Sequence, residues 1–450
     1  MDKKLVSGFK DAFRHVEKGY NKVNDAISQH ARPHSYPDPD AGPLPMPTVM
    51  PPEPFNPSLD RPPPSVKLIK QGLNGEGPLN VHDPNVIRAQ DGTLFMFGTG
   101  KGPGDSQIPY WKTSRLASGT WEFLGWAMPA RPDSAKNIPW ALTPGANDGF
   151  WAPEVAFFSG KYWLYYAYSN FGTNNSAIGL VSTLSLDDRP IAWQDEGLVI
   201  QSPSRLANFN AIDAAILNDP QGRLWMSWGS FWDGIFMQEL NPQTGHLLDP
   251  NARPVHIGAR PGVKSNPIEG ATLAYRRAND SYYVFVAYDY CCPADGAVNF
   301  HEKPYRVAVG RSTTGPLGPY VDRNGTSMVD GGHWPLVARR LPDLAELPGL
   351  PTAPGAGHGS CCYEMLPAAD AVRIGADGFT PLENDQTCRC WKGIGGASVL
   401  LDQPDRPDVV FVHSYLDGAA PWLRCFELGW DGDWPYLKWT ADAADLTVVT

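Results

Sequence analysis

The chain has 450 residues, with 42% hydrophobic and 19% charged residues, a globular composition that excludes a disordered or fibrous protein. Its 37 Lys and Arg against 48 Asp and Glu leave a net charge of -11, which disfavours binding to nucleic acid or to an anionic membrane surface. No apolar run is long enough for a membrane-spanning helix, and 45 Gly, 45 Pro and 11% aromatic residues point to many turns between short strands.

Residues 1–30 lack the continuous apolar core and small-residue cleavage site of a secretory signal. Phe9, Phe13, Val16, Tyr20, Val23 and Ile27 instead follow a 4-3-4-3-4 spacing, the single apolar seam of an amphipathic helix. Such a helix is available for docking on its own domain, for self-association or for a partner. Residues 31–65 read as a Pro-rich linker: 13 prolines fall between positions 31 and 70, including Pro62-Pro63-Pro64. A single folded domain is predicted over 66–450.

That domain is built from a recurring unit: a polar residue, an apolar strand, a turn, an aromatic strand and often a third strand. It occurs at His82 (HDPNVIRAQDGTLFMFGTG), Trp151 (WAPEVAFFSGKYWLYYAYS), Ile212 (IDAAILNDPQGRLWMSWGSF) and Ile268 (IEGATLAYRRANDSYYVFVAYDY). A fifth, less regular unit starts at His358 and continues through GASVLLDQPDRPDVVFVHSYL. The turns Gln90-Asp91-Gly92, Ser159-Gly160, Gln221-Gly222 and Asn279-Asp280 stand where hairpins need polar caps or positive φ. One meander cannot cover both of its faces, whereas five arranged radially can, so the expected fold is an all-β, five-bladed β-propeller.

The innermost strand of each blade lines a propeller's axis. The polar residues that open the units, Asp83, Glu154, Asp213, Glu269 and His358, are therefore expected to converge in one funnel. Clustered carboxylates push some pKa values up and leave others ionised, the division of labour that glycosidic hydrolysis requires.

The segments His82-Asp83-Pro84, Phe150-Trp151-Ala152-Pro153-Glu154, Asn210-Ala211-Ile212-Asp213, Gly229-Ser230-Phe231-Trp232, Ile268-Glu269-Gly270 and Asp289-Tyr290-Cys291-Cys292, in that order, resemble glycoside hydrolase family 43, with the endo-1,5-α-L-arabinanases nearest. The likeness runs from about Leu79 to Trp434 and does not cover residues 1–70. It implies an inverting hydrolase acting on arabinan, with Asp83 as general base, Glu269 as general acid and Asp213 tuning and orienting the acid. Inversion needs the acid and base about 6.5–9.5 Å apart, a gap that opposing blades can supply. It also implies substrate contacts from Trp151, Phe171, Asn210, Ser230 and Trp232; Trp334 is a further aromatic candidate, and Glu154 reads as a structural or supporting acid. His358, in Gly355-Ala356-Gly357-His358-Gly359, matches the histidine that helps to hold a largely water-coordinated Ca2+ on the axis, although Ala356 and Gly359 replace the family's proline and asparagine. Ala214 likewise stands where a proline is usual.

Three other readings stay open at this level. The same carboxylates serve an exo-acting α-L-arabinofuranosidase or a β-xylosidase if the inserts 101–149, 289–306 and 331–357 close the funnel. A non-catalytic sugar-binding propeller is disfavoured by the intact acidic trio, and a scaffold acting through the N-terminal helix would not need it. The seven cysteines, Cys291, Cys292, Cys361, Cys362, Cys388, Cys390 and Cys425, lack the CxxC spacing of a zinc knuckle and are read as free thiols or local disulfides. With no export signal legible, the sequence points to the cytoplasm while a polysaccharide substrate points outside the cell.

Overall fold

A computed structural model describes residues 80–114, 116, 121–138, 149–203, 207–292, 305–336, 338–340, 392–403, 406–415 and 421–439. The expected N-terminal helix and Pro-rich linker, and His358, lie outside these residues.

The described chain forms five antiparallel sheets arranged as the blades of a propeller. Blade one is β1 (Asn85–Arg88), β2 (Leu94–Phe97), β3 (Gln107–Thr113) and β4 (Glu122–Met128); blade two is β5 (Trp151–Phe158), β6 (Lys161–Ser169), β7 (Ser176–Thr183) and β8 (Gln194–Ser202). Blade three is β9 (Ala215–Asn218), β10 (Leu224–Trp228), β11 (Ile235–Leu240) and β12 (Val255–Gly258). Blade four is β13 (Ile268–Arg276), β14 (Ser281–Tyr288), β15 (Arg306–Ser312) and β16 (Trp334–Pro335). Blade five runs outward from β18 (Lys392–Leu400) through β19 (Val409–Tyr415) and β20 (Pro421–Asp431) to β21 (Trp434–Trp439), and the short β17 (Ala338–Arg340) adds to its outer edge in parallel. The fifth inner strand thus contains the GASVL segment of the repeat, and β19 and β20 contain its VVFVHSY and WLRCFELGW segments.

The turns are local and follow the sequence. Ser159 and Gly160, both at positive φ, join Phe158 to Lys161, and Asp91 accepts the Thr93 N–H at 2.9 Å beneath the β1–β2 turn. The middle strands are buried on both faces, so they carry apolar and aromatic residues continuously rather than in alternation; all eight residues of β14, Ser281–Tyr288, are buried.

Five hydrophobic cores fill the five gaps between neighbouring blades. Phe97 and Tyr110 meet Tyr166 and Val155 between blades one and two, and Trp163 meets Trp228 between two and three. Met237 meets Val284 between three and four, Tyr283 meets Val412 between four and five, and Trp111 meets Phe411 where blade five returns to blade one. The inner strands touch in the cyclic order β1, β5, β9, β13, β18 and back to β1, which closes the ring. No helix among the described residues is long and apolar enough to cross a membrane.

Candidate active site

Each inner strand carries one residue in the left-handed region where it enters the funnel: Asp83 (φ 48°), Ala152 (39°), Asp213 (59°), Gly270 (56°) and Gly396 (54°). In blades two, four and five this residue lies within a break in the strand register, between Trp151 and Glu154, between Glu269 and Thr272, and between Gly395 and Ser398. A bulge of this kind turns adjacent side chains away from the pleat. Asp83 and Asp213 are themselves the left-handed residues, while Glu269 immediately precedes Gly270.

Glu154 holds a different register, two positions beyond Ala152. The residues two beyond the left-handed one are Asn85, Glu154, Ala215, Thr272 and Ser398, and four of them fasten their blade to the next. Asn85 Oδ1 accepts the Val155 N–H at 2.9 Å, Glu154 Oε1 accepts the Ile216 N–H at 3.1 Å, Ser398 Oγ accepts the Val86 N–H at 3.0 Å, and the Thr272 hydroxyl donates to the Ala397 carbonyl. Ala215 has no side chain able to do so. Asn85 Nδ2 also donates to Glu154. Burial raises the Glu154 pKa to about 8, although the Ile216 N–H opposes this, so the group is held as an acid within a layer of inter-blade fasteners. Glu154 thus leaves the register of Asp83, Asp213 and Glu269 and takes the structural place expected of it, between blades.

The three remaining acids converge. Asp213 Oδ2 accepts the Gly270 N–H at 3.0 Å, which ties the head of blade three to the residue beside Glu269. Ser230, at the exit of β10, donates its hydroxyl to Glu269 Oε2 at 2.8 Å, and the Tyr305 hydroxyl faces Glu269. Burial raises the Glu269 pKa to about 7; the Ser230 and Tyr305 hydroxyls oppose that rise, and the charges of Cys292 and Asp83 add to it. Asp213 is also held well above the carboxylate range, by burial first and then by repulsion from Glu269 and Asp83.

Asp83 has the opposite electrostatics. Burial, the largest single effect, favours its neutral form, but the adjacent His82, helped by His413 and the Thr99 hydroxyl, holds the carboxyl far below its usual range. The His82 Nδ1–H donates to Asp83 Oδ2 at 2.6 Å, and the Thr99 hydroxyl donates to the same oxygen at 2.6 Å. The pairing also keeps His82 protonated well above its usual range, against the effect of burial. Below this pair lies His413, whose ring stacks on His82 with centroids 4.2 Å apart and whose Nδ1 accepts the Asp83 N–H at 3.1 Å. Burial and the charge on His82 hold His413 neutral. Gly396 makes this packing possible: a Cβ there would stand 2.8 Å from His413 Nδ1 and 3.0 Å from Asp83 Cα.

The expected sugar contacts take several places. Trp151 is half-buried at the mouth, with Phe171, which is 50% exposed, in an edge contact at 6.2 Å between centroids. Ser230 bonds to Glu269 as described. Trp232 is half-buried at φ 41°, and its carbonyl accepts from Asn266 Nδ2 at 2.7 Å. Asn210 is buried, and its Oδ1 accepts the Ser176 hydroxyl at 2.5 Å. Trp334 lies at the outer edge of blade four, against Trp434 and under the Arg323 guanidinium, and so packs between blades rather than in the funnel. Thr99, Tyr305, His413 and Tyr415 were not singled out from the sequence. The available signal was hairpin geometry: an antiparallel second strand ends beside the start of the first, as in the pairing of Gly395 with His413.

The sequence profile of glycosyl hydrolases family 43 matches residues 77–336. The chain is 42% identical over 358 residues to the extracellular endo-α-(1→5)-L-arabinanase 1 of Bacillus subtilis (strain 168), which covers 79% of this chain and 87% of that protein. It is 33% identical over 268 residues to an extracellular exo-α-(1→5)-L-arabinofuranosidase of Cellvibrio japonicus, covering 57% of this chain and 71% of that one. Among solved structures, the Cellvibrio cellulosa α-L-arabinanase complexed with arabinohexaose aligns with TM-score 0.59 and 26% identity over 80% of this chain and 95% of that chain. The native Bacillus subtilis arabinanase aligns with TM-score 0.57 and 29% identity over 79% and 97%.

Proposed function

Because the chain belongs to glycosyl hydrolase family 43, and is thus a glycoside hydrolase, we propose that this funnel hydrolyses the α-1,5-L-arabinofuranosidic bonds of arabinan and arabino-oligosaccharides with inversion. The observation that carries the reading is the opposite protonation of two acids in one site: Glu269 keeps its proton up to about pH 7, while Asp83 is ionised far below it. Glu269 gives its proton to the glycosidic oxygen as the bond to the anomeric carbon breaks. Asp83 takes a proton from the water that attacks the same carbon from the opposite face. Asp213 bonds the backbone beside Glu269 and so orients the acid, and repulsion between these two buried carboxyls opposes ionisation of both together. Ser230 fixes the rotamer of the donor. Trp151 and Phe171, edge to face at the mouth, offer apolar faces to the C–H patches of a furanose.

Endo cleavage is the favoured mode, given the likeness to the Bacillus subtilis endo-arabinanase over most of both chains. The 33% likeness to the Cellvibrio japonicus enzyme favours exo cleavage as the second reading. Early-time chromatography of debranched 1,5-α-L-arabinan separates them. A ladder of oligosaccharides is expected, arabinose as sole first product would establish exo action, and no product from any arabinoside would overturn the assignment.

A further inference from the structure

Next to Asp83 and His82 are two thiols that the proposed hydrolysis does not use. Adjacent residues in extended backbone point to opposite sides, but Cys292 adopts φ 57°, which brings its thiol and that of Cys291 to the same side. Both are free thiols. The backbone here is pinned twice. The buried Asp289, three residues earlier, pairs with Arg260 at 2.7 Å and Arg306 at 3.2 Å, and the Cys292 N–H donates to Tyr415 Oη at 3.0 Å. The two sulfurs and His82 Nε2 lie within 4.8 Å of one another. Neither cysteine is fully buried, so a solute reaching the funnel can reach them.

We propose that His82 Nε2 and the Sγ atoms of Cys291 and Cys292 form a binding site for a thiophilic divalent cation of the Zn2+ or Cd2+ type. Bonds of about 2.3 Å to sulfur and about 2.0–2.1 Å to nitrogen at the tetrahedral angle place those ligand atoms about 3.5 Å apart. The separation of Cys292 Sγ and His82 Nε2 is 3.5 Å. His82 is oriented as a metal-binding histidine should be, with its other nitrogen donating to a carboxylate, here Asp83 Oδ2 at 2.6 Å. Two sulfurs and one imidazole suit a soft or borderline ion and not Ca2+, which takes oxygen ligands. Binding forms two metal–sulfur bonds and one metal–nitrogen bond; the protons on Cys291 Sγ and His82 Nε2 leave to solvent, Cys292 Sγ binds as the thiolate, and water fills the fourth position. The bound cation then places positive charge beside the proposed general base and lowers its basicity, so occupancy suppresses turnover. Binding here replaces the 3.0 Å contact of His82 Nε2 with the Tyr415 hydroxyl; the neighbouring group of His82, Asp83 and His413 would instead break the bond from the Asp83 backbone N–H to His413 Nδ1 and consume the carboxylate that orients His82.

The test uses the reduced full chain under anaerobic conditions, with Cd2+ as probe. One tightly bound equivalent is expected, with the ultraviolet thiolate-to-Cd2+ charge-transfer band, reversed by EDTA. Bound Cd2+ should protect Cys291 and Cys292 from alkylation by iodoacetamide, as read by peptide mass spectrometry. The double variant Cys291→Ser/Cys292→Ser should lose that equivalent. Unchanged alkylation of both cysteines in the presence of Cd2+ would overturn the site, as would protection confined to Cys361, Cys362, Cys388 and Cys390. The alkylation reading needs only the natural chain, so it decides even if the double variant fails to fold. None of these readouts depends on arabinan being the substrate.

Discussion

The carboxylate of Asp213 accepts the N–H of Gly270, one residue beyond Glu269, at 3.0 Å. This single bond couples the heads of two blades and fixes two buried carboxyls in one site. The left-handed turns at Asp213 and Gly270 are what let the two strands present side chain and backbone to each other. The chemistry proposed for the funnel depends on that coupling.

Replacing Glu269 with Gln keeps an amide oxygen able to accept the Ser230 hydroxyl bond but removes the proton donor. Turnover on arabinan should fall by about 10²–10⁴-fold. An aryl arabinoside, whose leaving group needs little protonation, should lose far less. Steady-state kinetics on both substrates check this, and equal losses on the two would remove Glu269 from the role of acid.

The pH profile of kcat/KM should be bell-shaped, because the free enzyme needs Glu269 protonated and Asp83 ionised. Activity falls as pH rises through about 7, where Glu269 loses its proton. The acid limb lies below the ordinary carboxylate range, where His82 holds Asp83. In Asp213→Asn, which can still accept the Gly270 N–H, Glu269 no longer shares the site with a second titrating carboxyl that repels its ionised form, so the alkaline limb should move to lower pH. A limb that stays in place in this variant would mean that Asp213 does not tune the acid.

Gly396→Ala adds a methyl 2.8 Å from His413 Nδ1 and 3.0 Å from Asp83 Cα, at a backbone φ of 54°. Strain at such a position costs about 1 kcal/mol before any clash. The methyl should displace Asp83 and lower kcat more than it raises KM. Thermal unfolding and kinetics together report it; a variant with natural stability and turnover would show that the contact does not position the base.

Glu154 links pH to stability. Its folded pKa of about 8 stands above the ordinary value of 4.5, so the folded state holds the proton more tightly than the unfolded chain. This contribution is fully present below about pH 4.5 and is lost as pH rises through about 8. Glu154→Gln should flatten the dependence of Tm on pH across that window. It should also start lower at the acid end, because the amide nitrogen cannot accept the Asn85 hydrogen bond. Differential scanning calorimetry at several pH values measures both effects, and parallel curves for the two proteins would contradict the buried-acid reading.

Trp151→Ala removes the half-buried ring that meets Phe171 at the mouth. An aromatic contact of about 0.5–1.5 kcal/mol corresponds to a rise in KM of roughly twofold to tenfold, with kcat little changed. Kinetics on a series of arabino-oligosaccharides would detect it.

The repeating meanders were legible in the sequence because hairpin pairing is local. Phe158 joins Lys161 across a Ser159-Gly160 turn, and both the turn chemistry and the aromatic strands are written within about twenty residues. The identities of Asp83, Asp213 and Glu269 were legible for the same reason, as polar residues at the heads of apolar inner strands. What those carboxyls do was decided by tertiary structure. Glu154 stands in an equivalent sequence context, yet the break in strand register at Ala152 drops it into the fastening layer between blades. Asp83 owes part of its environment to His413, 330 positions along the chain, and Glu269 owes its raised pKa first to burial. Charge state in a funnel depends on desolvation and on neighbours brought in by other blades, and neither is encoded in the segment that carries the carboxyl.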